Sequence, residues 1–496
     1  MTATDATSMT SDEQLSTAIA AAHAAVDAAR DAEPATRARW ITAIADALDA
    51  EATALVRAGA AETHLGEARL QGELKRTTFQ LRLLAGEVLS GETLDVTIDH
   101  ADESWGMGPR PDLRRVNVPL GVVGVFGASN FPFAFSVMGG DSAAALAAGC
   151  AVVHKIHEAH QRLGLLTADL VVRALAGSGA PNGLFGVVTG RRAGELLVRH
   201  PLIEAVAFTG SARVGHMLAE QAAARPRPIP FYGELGSINP VVVTPGAWAA
   251  RRQEIAAGYV ASYTLGTGQF CTKPGVLLVP ELDDAALALL RSAVADIEST
   301  PMLTPALAGG FRAARSAMAD HEGLVPLAPG GGGDAPAPAL FTTTAAAALA
   351  TPAIVRDEMF GPASIVVQYR DDAELAGVLE LLDGQLTSTI HAEPGEDVAA
   401  IAAALVARSG RVVWNAWPTG VAVSYAQQHG GPSPATTASS ATSVGTAATR
   451  RFVRPVAYQG FPEALLPPAL HESNPWSVSR RVDGHWQHPA RGAERA

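Results

Sequence analysis

The feature that most narrows the folds open to this chain is a regular alternation between Gly121 and about Val243. Short β-branched runs, Val122-Val-Gly-Val-Phe126, Ala151-Val-Val-His154, Leu184-Phe-Gly-Val-Val188, Ala205-Val-Ala-Phe208 and Val241-Val-Val243, are separated by alanine-rich stretches of helical spacing at 142–148, 163–176, 193–199 and 213–224. Strands and helices alternating at this interval form βαβ units, whose parallel sheet is covered on both faces and takes ligands at the carboxyl ends of its strands. The expected class is α/β with a Rossmann-like parallel sheet.

A second α/β region follows Arg251, with helices expected over 282–297 and 374–382 and strands at Val276–Val279, Ile365–Val367 and Arg411–Trp414. Residues 11–91 carry apolar positions at helical spacing, among them Trp40, Ile41, Ile44 and Leu48, and Ser11 with Gln14 reads as a capping box, so residues before Ser11 are expected to fray. Between Asp102 and Leu120 a Gly, Pro and Arg-rich stretch surrounds Leu113-Arg-Arg-Val-Asn-Val118, a pattern expected to make a hairpin that leaves the body and pairs with another chain. The Pro329–Pro338 segment is too rich in glycine and proline to hold a packed element and is expected to be an exposed flexible loop.

At 496 residues the chain can hold about three structural units. Its net charge of -12 offers no basic surface for a nucleic-acid backbone. No apolar run reaches the ~18 residues of a membrane span, and Met1–Ser8 has neither the basic nor the apolar part of a secretory signal. Only two cysteines occur, Cys150 and Cys271, which fits a reducing cytoplasm and leaves room for a reactive thiol.

Chemistry concentrates at Gly266-Thr-Gly-Gln-Phe-Cys-Thr-Lys-Pro-Gly275, where glycines surround one cysteine. A thiolate at Cys271 can attack a carbonyl if a base or a cation such as Lys273 activates it; a buried inert thiol is the alternative. Glu234, in Gly233-Glu-Leu-Gly-Ser-Ile-Asn-Pro240, is a general-base candidate or a surface loop glutamate. Asn130, in Phe126-Gly-Ala-Ser-Asn-Phe-Pro-Phe133, is an ordinary turn residue or an amide donor to an oxyanion, worth ~3 kcal/mol in acyl chemistry. Phe208-Thr-Gly-Ser-Ala-Arg-Val-Gly215 sits where a strand meets a helix, a place that accepts a phosphate. Lys155 and Glu158 stand at a strand end where ribose hydroxyls could be held, or form a solvated charge pair. His154, His157 and His160 have no helical ligand spacing, so no metal site is expected.

Taken jointly and in order, these motifs resemble the aldehyde dehydrogenase superfamily from the N-terminal helices to about Gly484, and in particular its bacterial branch of 2,5-dioxovalerate and NADP-dependent fatty aldehyde dehydrogenases. The phrases that carry the likeness are Phe126–Ser136, Glu234–Pro240, Gly268-Gln-Phe-Cys-Thr272, Trp414-Asn-Ala-Trp-Pro-Thr-Gly-Val421 and Gln428-His-Gly-Gly-Pro432. The resemblance implies a dinucleotide-binding domain of 1–101 and 121–243, a catalytic domain of 244–440, an oligomerisation element of 102–120 with 441–470, and a C-terminal tail of 471–496. It implies Cys271 as nucleophile, Glu234 as the base that activates water, and Asn130 with the Cys271 N–H as oxyanion hole. It places NAD or NADP against Lys155, Glu158, Phe208, Gly210, Ser211, Gly215, Glu358 and Phe360, and implies a homodimer or homotetramer.

The implied reaction is oxidation of an aldehyde to an acid through a cysteine thioester, with 2,5-dioxovalerate first and aliphatic aldehydes second. An acylating enzyme using coenzyme A, or a non-catalytic binding protein, are remoter readings. Two departures from the branch stand out: Ser433 replaces an aromatic residue, which is expected to reshape the substrate mouth, and Glu158 replaces a proline, which disfavours a 2′-phosphate. Arg450, Arg451 and Arg454 are candidate cations for an anionic substrate, or plain strand-surface charge.

Overall fold

The computed structural model describes residues 9–488. Three sheets organise them. The first is parallel and runs, edge to edge, Phe185–Thr189, Ala151–Ile156, Val122–Phe126, Ile203–Thr209 and Phe231–Glu234. The first strand in the chain is therefore central, and the path reverses between Val122–Phe126 and Ile203–Thr209, where Phe126 pairs with Phe208. Such a reversal opens a crevice at the strands' carboxyl ends.

The second sheet has seven strands in the order Val325–Pro329, Ala339–Thr344, Ala363–Tyr369, Val276–Pro280, Val241–Val243, Gln385–His391 and Ser409–Trp414, parallel except at its first edge. Val241–Val243, expected in the first sheet, belongs to this one. The reason lies just upstream: Leu235–Pro240 leaves the first sheet at Glu234 and crosses over, with Ile238 accepting from the Gly275 N–H at 2.7 Å. A short apolar run carries no label for the sheet it joins.

The third sheet runs Val453–Gln459, Leu113–Pro119, Val96–Asp99, Arg480–Val482 and His485–Gln487. The hairpin arm opposite Leu113–Pro119 is Val96–Asp99, so the ribbon begins before residue 102, and Asp102 bridges Arg110 near its tip. Two of its strands come from the stretch expected to be a tail. They are tied on by His100, which lies 2.6 Å from Asp483 and 3.0 Å from Glu472.

The N-terminal helices Asp12–Asp31, Pro34–Ala50, Ala52–Thr63 and Glu67–Ser90 bury Leu15, Ile19, Ile41, Ile44, Leu48, Leu70, Leu74 and Leu81 in a common core with the first sheet. The Ser11 and Gln14 capping box forms, each side chain meeting the other's N–H. Fraying does not begin at Ser11, because the Thr10 N–H bonds the Thr189 carbonyl at 3.2 Å; Met1–Ser8 and 489–496 lie outside the described residues. The Pro329–Pro338 stretch closes the turn between two antiparallel strands and is held by Arg312 on the Gly333 carbonyl and Arg315 on that of Pro329. Among the described residues no helix is long and apolar enough to cross a membrane.

Candidate active site

Glu234 ends the last strand of the first sheet, and Cys271 lies in the loop between the helix Pro245–Thr264 and the strand Val276–Pro280. The loop approaches its neighbours closely. Gly266, Thr267 and Gly268 all have left-handed backbone, with φ of 57°, 58° and 64°, and a Cβ on Gly268 would collide with the Gly361 carbonyl oxygen. A side chain at that position would force the nucleophile loop away from the 358–361 turn. Asn239, itself left-handed, donates its amide to the carbonyls of Cys271 at 2.8 Å and Lys273 at 2.9 Å, fixing the loop from below.

Lys273 does not face Cys271. Its buried ammonium donates to the carbonyls of Met359 at 2.9 Å and Ala363 at 2.7 Å, and burial pulls it below its ordinary value, with Glu358 opposing that pull. It anchors the turn that carries Glu358 and Phe360 rather than activating the thiol. Glu358 is pushed up by burial, against the attraction of Lys273, and its carboxylate reaches so near Gly236 that a Cβ there would meet it. Phe360 is half-buried on the same turn.

Asn130 is buried at 7% exposure and donates its amide to the Gln269 carbonyl at 3.0 Å, two residues before the nucleophile. Its second amide hydrogen is available to a substrate oxygen. Arg69 holds the Asn130 carbonyl at 2.8 Å, and Glu73 accepts from the N–H groups of Phe133 and Ala134 at 2.8 and 2.9 Å. The helix Glu67–Ser90 thereby sets the position of the whole 130–134 turn.

Sequence reasoning quoted His429 within a phrase but gave it no part in the chemistry. Its Nε2 lies 3.6 Å from the Cys271 Sγ and 2.8 Å from the Glu234 Oε1, while Ser443 donates to the other Glu234 oxygen at 2.9 Å. The stretch from 429 to 443 reaches the site because it lies against the last strand of the first sheet, with Leu235 N–H on the Ala435 carbonyl at 2.8 Å and Thr437 N–H on that of Gly233 at 3.1 Å. The one signal available was a lone histidine followed by Gly430 and Gly431, where backbones crowd.

Burial and the negative charge of Glu234 push the Cys271 thiol well above its usual value. Burial alone would raise Glu234 too, but His429, followed by hydrogen bonds that include Ser443 and Cys271, brings it below its ordinary range. The resting pair is thus a protonated thiol beside an ionised carboxylate. The three ligand atoms lie within 4.8 Å of one another, the only such group of three among the described residues. Each already has a hydrogen-bonding partner in the group. His154, His157 and His160 do not converge: they bond Ser142, the Ala159 N–H and the Ala128 carbonyl respectively.

The remaining predicted positions gather at the crevice of the first sheet. Phe208 is buried, Gly210 and Ser211 are exposed, and Ser211 occupies the N-cap of the helix Ala212–Ala223 without spending its side chain on the cap. That leaves hydroxyl and helix N–H groups for a phosphate, so the residues fit a dinucleotide. Gly215 is buried against Leu235. Lys155 and Glu158 pair at 2.6 Å across the crevice's other side.

Of the two readings open to the three arginines, surface charge fits Arg450 and Arg454. Arg451 is buried on Asp141 at 2.8 Å, and Arg454 lies exposed on the edge strand, so neither is a cation of the substrate mouth; Arg450 is likewise exposed beside the third sheet. Ser433 is exposed, and its carbonyl accepts from Gly384 at 3.1 Å. Trp417 packs on His391, ring centroids 4.6 Å apart, at the back of the Pro245–Thr264 helix.

The model of the aldehyde dehydrogenase family matches residues 2–435. An alpha-ketoglutaric semialdehyde dehydrogenase of Azospirillum brasilense is 46% identical over 93% of this chain and 89% of its own length, and one of Acinetobacter baylyi is 42% identical over 90% and 86%. Among solved structures, an NAD-dependent aldehyde dehydrogenase from Sinorhizobium meliloti superposes with a TM-score of 0.75 at 24% identity, covering 92% of this chain and 88% of that one. An aldehyde dehydrogenase from Pseudomonas syringae, solved with NAD+ and octanal, gives 0.76 at 22%, covering 92% and 90%.

Proposed function

Since the chain belongs to the aldehyde dehydrogenase family and oxidises aldehydes with a nicotinamide dinucleotide, we propose that its substrate is 2,5-dioxovalerate (alpha-ketoglutaric semialdehyde) and its product 2-oxoglutarate. The observation that carries this reading is the 42–46% identity to two relatives of that name along nearly their whole length.

In this reading the Cys271 thiol gives its proton up to solvent and the thiolate adds to the aldehyde carbon, beside a Glu234 carboxylate held by the Nε2–H of His429. Asn130 and the Cys271 N–H receive the oxyanion. Bound nicotinamide supplies the hydride acceptor. Glu234, ionised and turned toward the sulfur, then takes a proton from the water that hydrolyses the thioester. A transfer to coenzyme A would need no such base. Lys155, Ser211 and Glu358 hold the dinucleotide, and Glu158, drawn to Lys155 and set below its ordinary range despite the raising effect of burial, opposes a 2′-phosphate.

Initial rates over 2,5-dioxovalerate and a straight-chain aldehyde series, each with both nicotinamides, test the assignment. The expected result is the highest kcat/KM for 2,5-dioxovalerate with NAD; a higher value for medium or long aliphatic aldehydes would move the substrate to the alkyl series that the rings of Phe131, Phe135 and Phe270 could also stack.

His429→Ala is expected to lower kcat/KM by ~10²-fold or more, and to move the acidic limb of its pH profile toward alkaline pH, because the Glu234 carboxylate loses the Nε2–H that helps hold it below its ordinary range. An unmoved pH profile would leave His429 a packing residue.

We further propose that the protein works in the cytoplasm as a homo-oligomer. The outer edge of Val453–Gln459 has no strand beside it among the described residues, and Phe461, packed on Tyr458 of that strand, is exposed, a combination suited to a second copy.

A further inference from the structure

Arg69, Glu73 and Arg76 lie on one face of the helix Glu67–Ser90, at the three and four-residue spacing that stacks side chains. Two of them are committed to architecture. Arg69 holds the Asn130 carbonyl and lies over the rings of Phe131 and Phe270, 5.3 and 5.0 Å from their centroids. Glu73 receives two N–H groups of the 130–134 turn through one oxygen.

Each of the three keeps one buried polar atom without a hydrogen-bond partner among the described residues, Arg69 Nη1, Glu73 Oε2 and Arg76 Nη1, but Arg76 has the weakest hold on the backbone. Its guanidinium lies over Phe135 at 5.3 Å and makes one long bond, 3.4 Å, to the Val421 carbonyl. Burying a guanidinium nitrogen unpaired is costly, and the cost is recovered when an anion arrives. Phe135 in turn lies 6.0 Å, centroid to centroid, from the His429 ring, whose Nε2 is 3.6 Å from the Cys271 sulfur. The guanidinium feels the charge of Glu73 first and then those of Cys271 and Glu234. Arg411, which also feels Cys271, is spent on Thr387 and on the carbonyls of Pro418 and Gly420.

We propose that Arg76 seats the carboxylate of a short ω-oxo acid whose aldehyde end lies at Cys271, with Phe135 as the wall between the two. A guanidinium fork meets a carboxylate through two N–H groups, so an aldehyde of the right length is held by both ends and a neutral one by only one. This rests on the anionic-substrate reading above and names the residue that enforces it.

The test compares wild type, Arg76→Gln and Arg76→Lys on 2,5-dioxovalerate, 5-oxopentanoate and pentanal at saturating NAD. Wild type is expected to favour both acids over pentanal. Arg76→Gln should lower that preference, as a ratio of kcat/KM values, by roughly 100-fold, chiefly through KM, and Arg76→Lys should keep part of it. Glutarate should inhibit wild type competitively against aldehyde and inhibit Arg76→Gln far less. If the wild type favours the acids and Arg76→Gln keeps the same ratio, or loses activity on acids and pentanal alike, Arg76 is not the carboxylate seat and the substrate assignment stands. A wild type without preference for the acids overturns both.

Discussion

Cys271→Ala is expected to lose aldehyde oxidation by on the order of 10⁴-fold or more while still binding the nicotinamide. The loss is large because every later step depends on the carbon–sulfur bond: without it there is no tetrahedral adduct to give up hydride and no thioester for Glu234 to deacylate. Binding is expected to survive because Lys155, Ser211 and Glu358, the residues proposed to hold the dinucleotide, belong to other segments, and the loop itself is fixed by Asn239 and Gly268 rather than by the sulfur. Cofactor titration by fluorescence beside steady-state rates with a broad aldehyde set checks both halves. Cofactor-dependent oxidation retained by the alanine variant would remove Cys271 from the chemistry.

Glu234→Gln should separate the two halves of the reaction. The negative charge of Glu234 is one of the causes that raise the Cys271 thiol, so its removal lowers that value and shifts alkylation by iodoacetamide to more acidic pH. Acylation then proceeds and deacylation stalls. A burst of reduced cofactor equal to the enzyme present should be followed by a steady rate ~10²- to 10⁴-fold lower, with the acyl adduct visible on Cys271 by mass spectrometry. An unchanged steady rate without adduct would place the water-activating base elsewhere.

Much of the architecture was readable because the pattern repeats. Strand runs of β-branched residues set between alanine-rich helices announce parallel units wherever they occur, and four of the five runs from Val122 to Val243 lie in the first sheet. The fifth, Val241–Val243, went to the wrong sheet because three valines carry no information about their neighbours; the crossing is made by Leu235–Pro240, held to Gly275 in another part of the chain. Arg480–Val482 and His485–Gln487 were missed for a related reason: strands this short are stabilised by their register with Val96–Asp99 and by the His100 ion pairs, not by their own composition.

At the site, residues whose surroundings are local were easier to find than those that arrive from afar. Cys271 and Asn130 advertise themselves by glycines and small residues nearby. Lys273 looked like an activating cation because it is two residues from the thiol, yet the chain turns there, the Lys273 N–H closing on the Phe270 carbonyl at 3.1 Å, and the side chain reaches Met359 and Ala363. His429 reaches Glu234 across 195 residues of sequence. Arg76 stands in a helix whose periodicity predicted burial of its apolar face and said nothing of which charged side chains would be buried with an atom unpaired.

The pairing of Glu234 with His429 also has a time attached to it. At about 5–20 residues per second of synthesis, the 195 residues between them take roughly 10 to 40 s to leave the ribosome. The first sheet can close its core from residues already made, but through that interval the strand Phe231–Glu234 has no Ala435 or Thr437 alongside it, and its carboxylate has neither His429 nor Ser443. A nascent chain therefore carries an open sheet edge and an incomplete site until nearly its whole length has emerged, and the Glu234 carboxylate meets His429 and Ser443 only with the last fifth of the protein.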